Sequence, residues 1–106
     1  MPIRAFRMNV NPGQEQEYLR RHDDIWPELA DLLRGAGIED YRIFLDPESH
    51  ALFAVMSHRE QHGLDDLPGH PVMQRWWQHM KDIMPSHADG SPRSVDLQPV
   101  FHLSAL

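Results

Sequence analysis

A proline set inside a helical stripe constrains this chain more than any other feature. Tyr18, His22, Ile25/Trp26, Leu29, Leu32/Leu33 and Ala36 recur at intervals of three and four. That spacing describes an amphipathic helix with one inward face. Pro27 cuts across it, because proline lacks a backbone donor and disfavours helical backbone at the preceding Trp26. The stretch therefore reads as a kinked helix, or as two helices with the second restarting on Asp23 or Asp24 as its cap. Upstream, Asn11 suits an N-cap, Pro12 the first helical position and Gln14 a capping box, so the helix is expected to begin near Pro12. Gly35 and Gly37 end it.

The remaining elements follow from the period of the apolar pattern. Ile3 to Val10 alternates, with Phe6, Met8 and Val10 on one side, and reads as a strand. Tyr41, Ile43 and Leu45 alternate with Arg42 and Phe44. After the turn signal Asp46-Pro47-Glu48-Ser49, Ala51 to Ser57 is apolar on both faces and reads as a central strand, paired with its predecessor in a hairpin. His58 to Pro71 is an irregular connection with room for one helical turn. Val72/Met73, Trp76/Trp77, Met80 and Ile83/Met84 form a second helical stripe, stopped by Pro85. Val95, Leu97, Phe101 and Leu103 describe a last strand, which Pro99 places at an edge or a bulge. The order β-α-β-β-α-β points to an α+β fold: an antiparallel four-stranded sheet with both helices on one face, the ferredoxin-like arrangement. The other sheet face is then uncovered, and a homodimer through that open face is expected.

Composition removes several function classes. The chain has 106 residues, enough for a single domain spanning 1–106 and one modest core. It has no cysteine, which excludes disulfides, thiolate catalysis and cysteine-ligated zinc. A net charge of −6, with no basic cluster beyond Arg20-Arg21, argues against nucleic acid and anionic membranes as partners. The N-terminus lacks a secretory apolar region, so a cytoplasmic location is expected. A neutral small molecule is the partner easiest to accommodate.

His22 heads the residues that could carry chemistry, since imidazole exchanges protons near neutrality. It lies one turn from Tyr18 on the same helix face. On the residues alone, the plainer reading is a core histidine satisfied by a backbone carbonyl. Tyr18 and Tyr41 each lie near the start of an element on its apolar face; either could bring a hydroxyl to a shared pocket or sit at the core rim. Trp76 and Trp77 differ by about 100° in direction, so one packs inward and the other reaches sideways. An indole offers a flat face for sugar C–H groups, although an aromatic-rich core helix would look the same. His58 and His62, with Glu60, make a weak metal pattern at a strand end and in a loop. No phosphate loop or nucleophile elbow is present.

Arg21-His22-Asp23-Asp24-Ile25-Trp26-Pro27-Glu28-Leu29 resembles a signature of the L-rhamnose mutarotase family. His70-Pro71-Val72-Met73-Gln74-Arg75-Trp76-Trp77, with Met80, Asp82 and Met84, resembles a second. Ser91-Pro92, Leu97 and Val100-Phe101-His102-Leu103 resemble its C-terminal strand. The similarity runs over essentially the whole chain. It implies a ferredoxin-like fold of the dimeric α/β barrel type, a homodimer, no cofactor and no metal. The implied activity interconverts the α and β anomers of L-rhamnose or a related deoxy sugar. His22 matches the proton donor, and Tyr18, Tyr41, Trp76 and Trp77 match sugar-binding positions. Ser86-His87-Ala88-Asp89-Gly90 and Leu64 to Gly69 depart from the family pattern, which bears on the exact sugar. A non-catalytic ligand-binding module and a monooxygenase-type dimeric α+β barrel are the competing readings on the same fold.

Overall fold

The alternation at Phe6, Met8 and Val10 produces β1 (Ile3–Asn9), and the computed structural model, which describes residues 2–105, then turns at once. Asn11, Pro12 and Gly13 form that turn, with the Gln14 amide donating to the Asn11 carbonyl at 3.0 Å and Gly13 at φ +86°. Helix α1 (Glu15–Asp23) therefore begins three residues later than the capping pattern suggests. The Asn11 side chain reaches instead toward the Asp82 carbonyl, at 3.4 Å.

Pro27 breaks the helix outright. Trp26 takes an extended backbone, φ −61° and ψ 130°, as a residue before proline prefers. Its carbonyl accepts from the amides of Leu29 and Ala30, so Trp26, not Asp23 or Asp24, begins α2 (Pro27–Gly35). The aspartates lose this position because Pro27 already fixes the first helical residue, and the residue before it must be extended. Gly37 then turns the chain at φ +114°, with His62 packed so close that a Cβ there would meet it at 2.9 Å.

Strands β2 (Ile38–Asp46) and β3 (Ala51–His58) form the expected hairpin, with Tyr41 opposite Met56 and Ile43 opposite Ala54. A bulge between Ile38 and Asp40 lets β2 begin earlier than its alternation alone indicates. The Asp46 carboxylate closes the turn by accepting from the Glu48 amide and the Ser49 hydroxyl. β3 also pairs with β1, which makes it central. After a short 3₁₀ segment (Leu64–Gly69) comes α3 (Pro71–Met80). It stops at Met80, short of the expected end near Pro85, although Ile83 and Met84 stay buried in the following turns. Met84 precedes a proline, so regular helix cannot be carried to it.

β4 is reduced to Val95–Asp96, at the edge beside β1, with the Leu97 amide still donating to the Ala5 carbonyl at 2.9 Å. The longer strand read from Phe101 and Leu103 does not form: both side chains are exposed and pair with nothing in the sheet. The sheet order is β2-β3-β1-β4, entirely antiparallel, which is ferredoxin-like topology. Met8, Leu52 and Ala54 of one sheet face pack with Tyr18, Leu29, Trp76 and Met80 of the helices. Among the described residues no helix is long and apolar enough to cross a membrane.

Candidate active site

Helix α1 turns Glu15, Tyr18, Leu19 and His22 to one side, and with Ile25 beyond its end these residues line a cavity between helices and sheet. The sheet contributes Phe6, Met8, Tyr41 and Ile43, and α3 contributes Met73, Trp76 and Trp77. The cavity has a volume of about 1410 Å³. Small-molecule pockets typically hold roughly 300–1,000 Å³, so this is an open groove with space for a small sugar and water. All five residues singled out in the sequence, His22, Tyr18, Tyr41, Trp76 and Trp77, line it together. The 3₁₀ segment and the 86–92 loop reach it through Leu64, Leu67, Pro68, His87 and Ser91.

Two aromatic rings pack against the imidazole. The Tyr18 ring stacks on His22 with centroids 4.3 Å apart and planes at 28°. Trp76, only 6% exposed, meets His22 edge-on at 5.4 Å. Trp26 meets Trp76 edge-on at 5.1 Å and approaches His79 at 5.4 Å. The break at Pro27 therefore matters to the site: it frees Trp26 to buttress the indole that in turn buttresses His22. Sequence reading left Trp26 in the apolar stripe; its place before a proline was the signal that it would leave the helix. Trp77 is half-buried and touches both the cavity and a smaller outer groove, the sideways placement expected for one of the adjacent indoles.

A guanidinium holds α1 against the end of α3. Arg21 donates to Glu17 at 2.7 Å, to the His79 carbonyl at 2.7 Å and to both Asp82 oxygens at 2.8 and 3.3 Å. Its role was not visible in sequence, where it was only the neighbour of a histidine.

The protonation pattern follows from burial. His22 Nδ1 lies 3.1 Å from the Tyr18 carbonyl oxygen. A carbonyl can only accept, so Nδ1 carries the proton, and the neutral ring keeps its lone pair on Nε2. Burial moves the His22 pKa below its usual 6.5, opposed by the Tyr18 carbonyl and by the charge of Asp23. The imidazole is therefore neutral at pH 7. Burial, helped by the neighbouring Tyr41, pushes the Tyr18 phenol well up. Burial alone pushes Tyr41 up to about 12. The site thus holds one neutral base and two protonated phenols, a combination suited to moving protons in both directions.

His58 and His62 meet edge-to-face at 4.6 Å. Among the described residues no group of three or more potential ligands gathers there or elsewhere. The His58 ring donates instead to the Arg59 carbonyl, and the His62 ring accepts from the Leu64 amide.

Fold and site together define a ferredoxin-like α+β domain whose helix-covered face holds a histidine in an aromatic cavity. The L-rhamnose mutarotase family model matches residues 4–103. The L-rhamnose mutarotase of Brucella anthropi is 60% identical over 99 residues, covering 93% of each chain. The crystal structure of L-rhamnose mutarotase from Formosa agariphila superposes with a TM-score of 0.91 at 39% identity, over 98% of this chain and 100% of that one. A dimeric ferredoxin-like protein from an uncultured marine organism shares the fold, with a TM-score of 0.59 at 15% identity over 96% of this chain and 91% of its own. The chain belongs to the L-rhamnose mutarotase family, and so to the isomerases that name denotes.

Proposed function

We propose that this protein is a cytoplasmic homodimer that interconverts the α and β anomers of L-rhamnose, or of a closely related deoxy sugar, by general acid–base catalysis through His22. Tyr18, Tyr41, Trp76 and Trp77 hold the sugar. The observation that carries the reading is the imidazole itself: neutral, fixed through Nδ1, with Nε2 free in a cavity shared with two protonated phenols. Mutarotation opens the pyranose ring, turns the aldehyde and closes the ring on its other face. It moves two protons and no electrons, so residues of these types suffice without a cofactor. The indoles supply flat apolar walls for the C–H face and methyl group of a deoxy sugar. Kinship with proteins named L-rhamnose mutarotase supports this substrate. The departures at 64–69 and 86–90 lie at the cavity wall and leave room for a different deoxy sugar.

Magnetisation transfer between the α and β anomeric protons of L-rhamnose tests the reading. Wild type accelerates the exchange, and His22→Ala removes about 10²-fold or more of that gain while the far-ultraviolet spectrum stays native. No acceleration with L-rhamnose or any other aldose would sink the proposal.

A further inference from the structure

Ring opening needs a proton delivered to the ring oxygen as well as one taken from the anomeric hydroxyl. His22 offers one free nitrogen, Nε2, because Nδ1–H is committed to the Tyr18 carbonyl. A second group must therefore act. The ring oxygen and the anomeric oxygen are bonded to the same carbon, so the two proton-transfer groups must stand side by side.

The other titratable side chains lining the cavity are Arg4, Glu15, Tyr18, Tyr41, His87 and Asp96. Arg4 stays charged and cannot cycle a proton. Glu15 is drawn away to His50, 2.6 Å from its carboxylate, and to the Gly13 amide. His87 and Asp96 are exposed at the rim. Tyr41, on β2, neighbours Tyr18 and meets Phe6 edge-on at 6.5 Å, but among the described residues it makes no ring contact with His22. Tyr18 is left. Its ring lies on the imidazole at 4.3 Å, held one turn away on the same helix. The residue is 8% exposed and borders the cavity, and its hydroxyl is not among the fully buried unpaired atoms, so it opens onto that space. Tyr41 borders the same space; what sets Tyr18 apart is its ring contact with the imidazole.

The geometry points to Tyr18 as the proton-transfer partner of His22, a catalytic acid and not merely a sugar-binding phenol. This rests on the mutarotase reading above. In the opening step the Tyr18 hydroxyl gives its proton to the ring oxygen as the bond from that oxygen to the anomeric carbon breaks. The anomeric hydroxyl gives its proton to His22 Nε2 as the carbonyl double bond forms. The products are an open-chain aldehyde, a phenolate and an imidazolium. Stacked at contact distance, the two opposite charges stabilise each other where water is scarce. Ring closure on the other face of the aldehyde returns both protons: the imidazolium gives to the carbonyl oxygen, and the phenolate takes the proton of the attacking hydroxyl. His22 is thus base in opening and donor in closing, and the enzyme ends each turnover as it began.

Tyr18→Phe and Tyr41→Phe, measured by the same anomeric exchange, separate the two phenols. Tyr18→Phe keeps the stacked ring and is expected to lower kcat about 10²-fold with KM changed by no more than about two-fold. Small buffer acids are expected to restore part of that kcat in proportion to their concentration. Tyr41→Phe is expected to raise KM and leave kcat within about three-fold. A Tyr18→Phe variant with unchanged kcat, or a Tyr41→Phe variant that loses kcat as severely, would overturn the assignment. So would a loss in Tyr18→Phe that buffer acid does not restore, since that places Tyr18 as a support for the imidazole. If wild type itself shows no acceleration, the mutarotase reading fails first, and the two failures stay distinct.

Discussion

The two faces of the sheet use the same strands and end in opposite conditions. On one, Phe6, Met8, Tyr41, Ile43, Leu52 and Ala54 lie under this chain's own helices and surround the cavity. On the other, Ala5 and Arg42 flank Val55, and Phe44 pairs with Phe53 beside Arg7 and Val95. Phe44 is 56% exposed there, and Val95 is also open. The apolar C-terminal residues Val100, Phe101 and Leu103 are exposed as well. Strands covered on one side only would alternate polar with apolar. This sheet carries apolar residues on both sides, with Arg7 and Arg42 among those of the open face, and that open face is the one the proposed second copy would cover.

The largest expected effect breaks the covered face. Leu29 is 1% exposed and sits in the core cluster beneath the helices. Leu29→Ala leaves a cavity there and is expected to lower unfolding free energy by about 2–5 kcal/mol in urea titration. A loss below about 1 kcal/mol would mean the helical layer is not the main support of the site.

The open face is expected to respond in the opposite way. Phe44→Asp adds a charge to the apolar patch but touches nothing under the helices. Sedimentation is expected to show monomer where wild type sediments as dimer, with the dimer dissociation constant raised more than about tenfold. Since one chain carries His22 and its four neighbours, kcat per protomer is expected to stay within about two-fold. A variant that remains dimeric places the interface elsewhere; a monomer that loses kcat makes the covered face depend on the open one.

On the covered side, in the helical layer, an ion pair aligns α1. Arg21 is largely buried, while its partner Asp82 is mostly exposed. Arg21→Ala is expected to cost about 1–2 kcal/mol of stability, because guanidinium hydrogen bonds to Glu17, His79 and Asp82 vanish together while water screens the Asp82 side. A loss near zero by thermal unfolding would leave α1 held by packing alone.

Periodicity carried most of this architecture. It assigned the covered face, the β2–β3 hairpin, the central place of β3 and the divergence of Trp76 from Trp77, because burial enforces the period of each element. Its failures cluster at prolines. Pro12 closes a turn where a capping box was read, Pro27 hands the cap to Trp26, and Pro85 ends helix before its apolar stripe is exhausted. The C-terminal alternation also misled: Val100 to Leu103 has a strand's pattern but pairs with no strand among the described residues. The residues of the cavity were legible as a helix face, yet their division of labour was not. Spacing set Tyr18 beside His22, but the division depends also on the tautomer of His22, which spacing does not carry.

The smallest effect is a matter of pH, and its sign is fixed. Burial lowers the His22 pKa in the folded protein from 6.5, against the smaller opposing pulls of the Tyr18 carbonyl and Asp23. The unfolded chain therefore binds this proton at higher pH than the folded one. Above about pH 6.5 both states are neutral at this site and stability gains nothing further from it. Below that, protons favour the unfolded state, and this contribution is lost until the folded pKa is passed. On the proposed mechanism activity follows the same group, because only neutral His22 could take the anomeric proton. The kcat/KM profile should be flat near neutrality and fall about tenfold per pH unit on an acid limb centred below 6.5. With Tyr41 pushed up to about 12 and Tyr18 also raised, no alkaline limb from the phenols is expected near neutral pH. Anomeric exchange measured from about pH 4.5 to 9 covers both expectations. An acid limb centred above 7 would mean that the cavity holds an imidazolium, and that the covered face is wetter and more polar than its packing implies.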